Sequence, residues 1–110
     1  MELLLFIYLG SGLLMAALAL PLIRGRVPPN ALYGFRTPRT LRDAAVWYPA
    51  NAYAGRWLLG VGLTIVAAAI GLYFAPGMRF EIYAWSLLAV TLVGVAASLI
   101  QSLRYLRTLS

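Results

Sequence analysis

The side chains that could do chemistry in this chain are few and gathered. The stretch PPNALYGFRTPRTLRDAAVWYPANAYAG, Pro28 to Gly55, holds Arg36, Arg39, Arg42 and both asparagines, Asn30 and Asn51. It also holds Asp43, one of three acids; the others, Glu2 and Glu81, lie on distant segments. Hydrolytic chemistry ordinarily draws on His, Cys, Lys or a carboxylate pair. The chain has no His, no Cys and, all nine basic residues being Arg, no Lys. No catalytic residue is expected. Neither a histidine/cysteine metal site nor an acid cluster is expected either, and no cofactor. What remains is binding chemistry: two amides, aromatic rings and guanidinium groups, each a fixed cation with five donors.

The elements that must position these groups are apolar. The chain is 63% hydrophobic and only 11% charged, with a mean hydropathy of +0.85, where an ordinary soluble domain is nearer half apolar. Three runs, about 3–23, 57–75 and 82–103, contain no charged residue and reach the roughly 20 residues that a bilayer core requires. The expected fold is therefore an all-α, single-domain integral membrane three-helix bundle. A chain of this length has no outer layer to bury three such helices in a soluble protein. The first run is read as a retained anchor, because the arginines follow it instead of preceding it as in a signal peptide.

The net charge of +6 is not spread as a nucleic-acid surface would be. Arg24, Arg26, Arg36, Arg39, Arg42 and Arg56 fall between the first two runs, Arg104 and Arg107 follow the third, and Arg79 alone lies between the second and third. Arginine-rich short loops stay in the cytoplasm. The expected topology is N-terminus out and C-terminus in, with the arginines facing cytoplasm and anionic head groups. No direct nucleic-acid binding is expected. Trp57 and Tyr105 would mark the cytoplasmic interface, and Tyr73, Phe74, Tyr83 and Trp85 the outer one. Small residues recur at Gly12/Ala16, Gly60/Thr64/Ala68 and Gly94/Ser98/Ser102. Such faces let helix backbones approach closely, within one chain or between two. A homodimer through Gly12/Ala16 and Gly94/Ser98 is expected.

The insert itself, residues 24–56, begins with a stretch that two prolines and Gly34 keep from being helical. Thr40 then reads as an N-cap with Asp43 at N3. From Leu41 the pattern is amphipathic, which predicts a short helix lying in the membrane interface, with a bend at Pro49. Trp47, Asn51 and Gly55 share one helix face. Arg36 must pair with a carboxylate, with carbonyls or with lipid phosphate, and Asp43 is its only nearby acid.

At these residues the chain resembles the SdpI family of small bacterial membrane proteins. The matching pieces are PNALYGFRTPRT, Trp47 and NAYAG, that is, Asn30, Tyr33, Gly34, Arg36, Thr37, Pro38, Thr40, Trp47 and Asn51. The naming member carries a further membrane-spanning half before this unit; the resemblance is to the C-terminal motif unit. It implies a protein that confers immunity to a secreted killing peptide and signals by holding a transcriptional repressor at the membrane. The implied partners are thus a peptide toxin and a cytoplasmic repressor. The motif and binding candidates are Asn30, Tyr33, Gly34, Arg36, Thr37, Asp43, Trp47 and Asn51. Two other classes fit the length: a regulatory or structural subunit of a larger membrane complex, and a small transporter. The second is disfavoured because proton-coupled exchange uses an intramembrane carboxylate, and no run has one.

Overall fold

The structure, a computed structural model, describes residues 1–30 and 32–109. Four helices follow one another: α1 (Glu2–Ile23), α2 (Pro38–Arg42), α3 (Ala44–Tyr73) and α4 (Phe80–Thr108). Among the described residues there is no strand. α1, α3 and α4 are long and apolar enough to cross a membrane, as the three runs predict. In hydrocarbon each backbone N–H and C=O must be satisfied within the segment, which leaves helix as the form for such runs. The molecule measures 51 × 22 × 18 Å. α3 is its central element and packs against α1, α2 and α4.

Glycines set the distance between α1 and α3. A Cβ placed on Gly12 would lie 2.6 Å from the Gly62 carbonyl oxygen, and one on Gly62 would lie 2.6 Å from that of Gly12. The two backbones touch, and neither position has room for a side chain. Toward the arginine-rich end, a Cβ on Gly55 would meet Leu22 and Ile23 of α1 at 3.1 and 3.0 Å. On the other side of α3, a Cβ on Gly94 of α4 would meet Val61 at 3.1 Å. These contacts correct the expected lipid-facing stripe on α1: Gly12 is buried against Gly62, while Gly94 faces Val61 of α3 and is half-buried.

Two buried clusters hold the ends of the bundle. One joins Val46 and Ala50 of α3 to Leu106 of α4, with Phe35 against them. The other joins Ala69 of α3 to Tyr83 and Leu87 of α4, with Tyr8 and Leu9 of α1. Tyr83 is thus a correction as well. Expected at the outer interface, it is fully buried, because its hydroxyl donates to the Ala69 carbonyl at 2.8 Å inside the bundle. Phe74 and Trp85, 75% and 70% exposed, are free to serve as the expected ring of interfacial aromatics.

The short helix between the first two spans exists but is smaller than its sequence reading. α2 is five residues, Pro38–Arg42, and its N-cap is Thr37, not Thr40. Asp43 is likewise not an N3 residue. It is the N-cap of α3, where its carboxylate accepts the Ala45 N–H at 2.9 Å. Trp47, Tyr48 and Asn51 therefore belong to the first turns of the 30-residue α3. Pro49 lies inside α3 and removes a single ladder bond, to the Ala45 carbonyl. At about 45 Å, α3 exceeds the roughly 30 Å hydrocarbon core, so its first turns extend past the apolar run.

Candidate functional site

The connection from α1 to α2 is built at each step by a side chain or a glycine. α1 ends in a Schellman arrangement: Gly25 takes φ 67°, the Arg26 N–H bonds to the Pro21 carbonyl at 3.0 Å and the Gly25 N–H to that of Leu22 at 3.3 Å. Asn30 then folds the loop around its own amide. Its Oδ1 accepts the N–H groups of Leu32 and Tyr33 at 2.9 and 2.7 Å. Its Nδ2 donates to the carbonyls of Pro28 and Tyr33 at 2.8 and 3.0 Å. The Tyr33 hydroxyl reaches back to the Leu18 carbonyl of α1. Burial pushes the Tyr33 phenol above the usual tyrosine range, so it stays protonated and able to donate.

Gly34 follows with φ 116°, where other residues are strained. Space forbids a side chain too: a Cβ would fall 2.8 Å from Asn51 Oδ1 and 3.2 Å from the Trp47 ring. That bare backbone lets Phe35 reach Asn51, whose amide acts like the edge of a partner strand. Asn51 Oδ1 accepts the Phe35 N–H at 2.5 Å, and its Nδ2 donates to the Phe35 carbonyl at 3.3 Å and the Trp47 carbonyl at 3.0 Å. Asn51 is buried, and an unpaired amide there would cost about 1–3 kcal/mol. Trp47, also buried, donates its indole N–H to the Val27 carbonyl at 2.6 Å. Trp47 and Asn51 share a face one turn apart, as their spacing predicts, and that face docks the loop.

Thr37 and Thr40 close the cap. Thr37 Oγ1 accepts the Thr40 N–H at 3.1 Å, and Thr40 Oγ1 accepts the Thr37 N–H at 2.7 Å. This is a reciprocal capping box with Pro38 at the helix start. The Thr40 hydroxyl also donates to the Phe35 carbonyl at 3.0 Å. Thr40 is fully buried; the T-P-x-T spacing carried that signal, but the sequence reading placed the cap three residues late. Arg39 is the other residue the reading missed. It donates from Nη1 to the Leu106 carbonyl at 2.7 Å, tying α2 to the last turn of α4, where the helix dipole favours a cation. Arg36 is exposed on the cap.

The cap also borders a groove of about 340 Å3. Tyr33, Gly34 and Phe35 form its mouth, Leu18 and Leu22 of α1 one wall, and Ser98, Leu99 and Ser102 of α4 the other, over Ala54 and Leu58 of α3. Of the sequence-derived candidates, Asn30, Tyr33, Gly34, Trp47 and Asn51 come together in one hydrogen-bonded unit, which Thr37 joins through Thr40. Asp43 sits apart as a helix cap. Such a unit spends its side-chain donors on its own carbonyls and so holds a fixed shape; it brings no acid, base and nucleophile together.

The class these features define is a small bundle of membrane-length helices with an amide-clamped polar cap at one end. Residues 26–102 match the SdpI/YfhL protein family, and the chain belongs to that family. No curated protein and no solved structure is a significant match to the chain.

Proposed function

We propose that this chain is a non-catalytic bacterial inner-membrane protein that protects its cell from a secreted peptide toxin and relays the toxin's presence. One observation carries the reading: the family motif residues build a fixed cap that borders a groove between α1 and α4 and displays Arg36. The groove's shape and the Ser98 and Ser102 side chains on its wall support capture of a peptide. The cap faces the cytoplasm in this reading, because eight of the nine arginines lie at its end. There the guanidinium groups meet anionic head groups, and the cap surface is where a repressor would dock.

The test is survival. A toxin-sensitive bacterium expressing the chain is challenged with the killing peptide against which the family's naming member protects. Protection is expected with the wild-type chain, loss of it with Arg36→Ala at equal membrane level, and little change with Arg24→Ala. No protection by the wild-type chain, when present in the membrane, would overturn the immunity reading.

A further inference from the structure

The other side of the α3–α4 seam carries a second and larger groove, of about 510 Å3. It has no contact with the motif loop. Tyr53, Arg56, Trp57, Gly60, Thr64 and Gly94 are among its lining residues. Gly60 keeps it open: a Cβ there would have nothing within 4 Å. Thr64 turns its hydroxyl away, donating to the Gly60 carbonyl at 2.7 Å, so what it offers the groove is hydrocarbon. Tyr53 stacks flat on Tyr105, centroids 4.2 Å apart and planes 7° from parallel, and stiffens the wall near the mouth.

One charged group stands in this lining. Arg56 is exposed at the end of the groove. It is also the last charge before the uncharged run that begins at Trp57, which sets it at the hydrocarbon boundary. A fitting occupant is long and apolar with an anion at one end. A peptide fits poorly: the donor-bearing side chains Tyr53, Arg56 and Trp57 are neighbours at one end, and backbone N–H and C=O groups laid along Gly60, Val90 and Gly94 would be buried without side-chain partners. A second copy related by a two-fold axis would bring its own arginine-rich end toward this one, like charge against like charge.

We propose that this groove is a site for an anionic phospholipid, with an acyl chain along Gly60 and Gly94 and the phosphate on Arg56. The site requires the chain to sit in a membrane and is independent of the immunity reading.

The full chain, purified in detergent, is titrated with dioleoylphosphatidylglycerol or dioleoylphosphatidylcholine, and retained lipids are counted by native mass spectrometry. One phosphatidylglycerol per chain is expected, with about a tenfold preference over phosphatidylcholine, the effect of about 1.4 kcal/mol. Arg56→Gln, a surface change, should reduce the preference to less than about threefold. Gly60→Leu fills open space and should abolish retention of both lipids while helicity by circular dichroism is unchanged. Three results would overturn the site. They are equal retention of the two lipids by the wild-type chain, undiminished phosphatidylglycerol retention by Gly60→Leu, and a dimer that Gly60→Leu dissociates. Displacement of the lipid by glycerol phosphate at equal concentration would also count against it, since the acyl chain would then contribute nothing.

Discussion

At the arginine-rich end, residues 24–37 connect α1 to α2, and side chains supply partners for their backbone: Asn51 for Phe35, Asn30 for Leu32 and Tyr33, Trp47 for Val27. At the opposite end, residues 74–79 connect α3 to α4 with bonds between near neighbours, Ala75 to Leu72 at 3.2 Å and Met78 to Ala75 at 3.3 Å. Gly77 at φ 73° turns that corner. Packing there is apolar and aromatic: Tyr73 meets Phe74 and Tyr83 edge to face. A long connection near a membrane surface has unmet donors and acceptors, and particular side chains must reach them. A short turn meets its own. The first therefore demands residue identity over a dozen positions, whereas the second demands little beyond a glycine and a greasy surround.

Breaking the clamp should separate the two ends most sharply. Asn51→Ala loses three bonds and orphans the Phe35 amide, a cost of about 2–4 kcal/mol. Hydrogen exchange should rise across residues 32–51 and stay unchanged across 66–87. Uniform exchange along the chain would refute the division. Next comes Gly34→Ala, which forces a side chain onto φ 116° and against Asn51. About 1–3 kcal/mol of destabilisation should appear as a red shift of Trp47 emission, read with Trp57 and Trp85 replaced by Phe. Gly77→Ala, with the same sign of φ but nothing within 4 Å, should cost less. At the opposite end, Tyr83→Phe removes one bond to a carbonyl already in the α3 ladder, so thermal unfolding should report about 1 kcal/mol or less.

The smallest effect is expected from pH. The Tyr33 phenol is raised in the fold, so its stabilising contribution is complete below the ordinary tyrosine pKa of about 10. It is lost as pH rises beyond that value. Trp47 emission should hold constant from pH 6 to 9 and change above about 10, and Tyr33→Phe should flatten the change.

The same contrast explains what could be read in advance. The three spans were legible because a charge-free run of about 20 residues has few other folds. One inner end matched: Ile23 closes α1 as expected. The start of α3 did not, since Pro49 and Arg56 look like breaks in a one-dimensional pattern. In three dimensions the Asp43 cap and the docked loop outweigh one lost ladder bond. The motif residues could be picked out as a group, since amides, a tryptophan and a glycine stand out against hydrocarbon. Their pairings could not, because Asn51 meets Phe35 across sixteen positions and Arg39 meets Leu106 across sixty-seven. Nothing local encodes those distances. Tyr83 was misplaced for the same reason: a tyrosine near a span end suits the interface equally well until Ala69 is brought opposite it.

The Gly12–Gly62 contact has a mechanical meaning. Where two backbones touch with no side chain between them, the rods can turn about that point more readily than they can slide past it. Gly62 lies eleven residues from Asn51 and eleven from Tyr73, lever arms of about 16 Å each. A change in crossing angle prised open at the cap would be returned at equal amplitude on the far side of the bilayer, where the Tyr73 hydroxyl holds Glu2 at 2.9 Å. With Gly55 seated against Leu22 and Ile23 as a second close contact, the crossing angle is set by two glycine contacts and not by the bulk of any side chain between the rods.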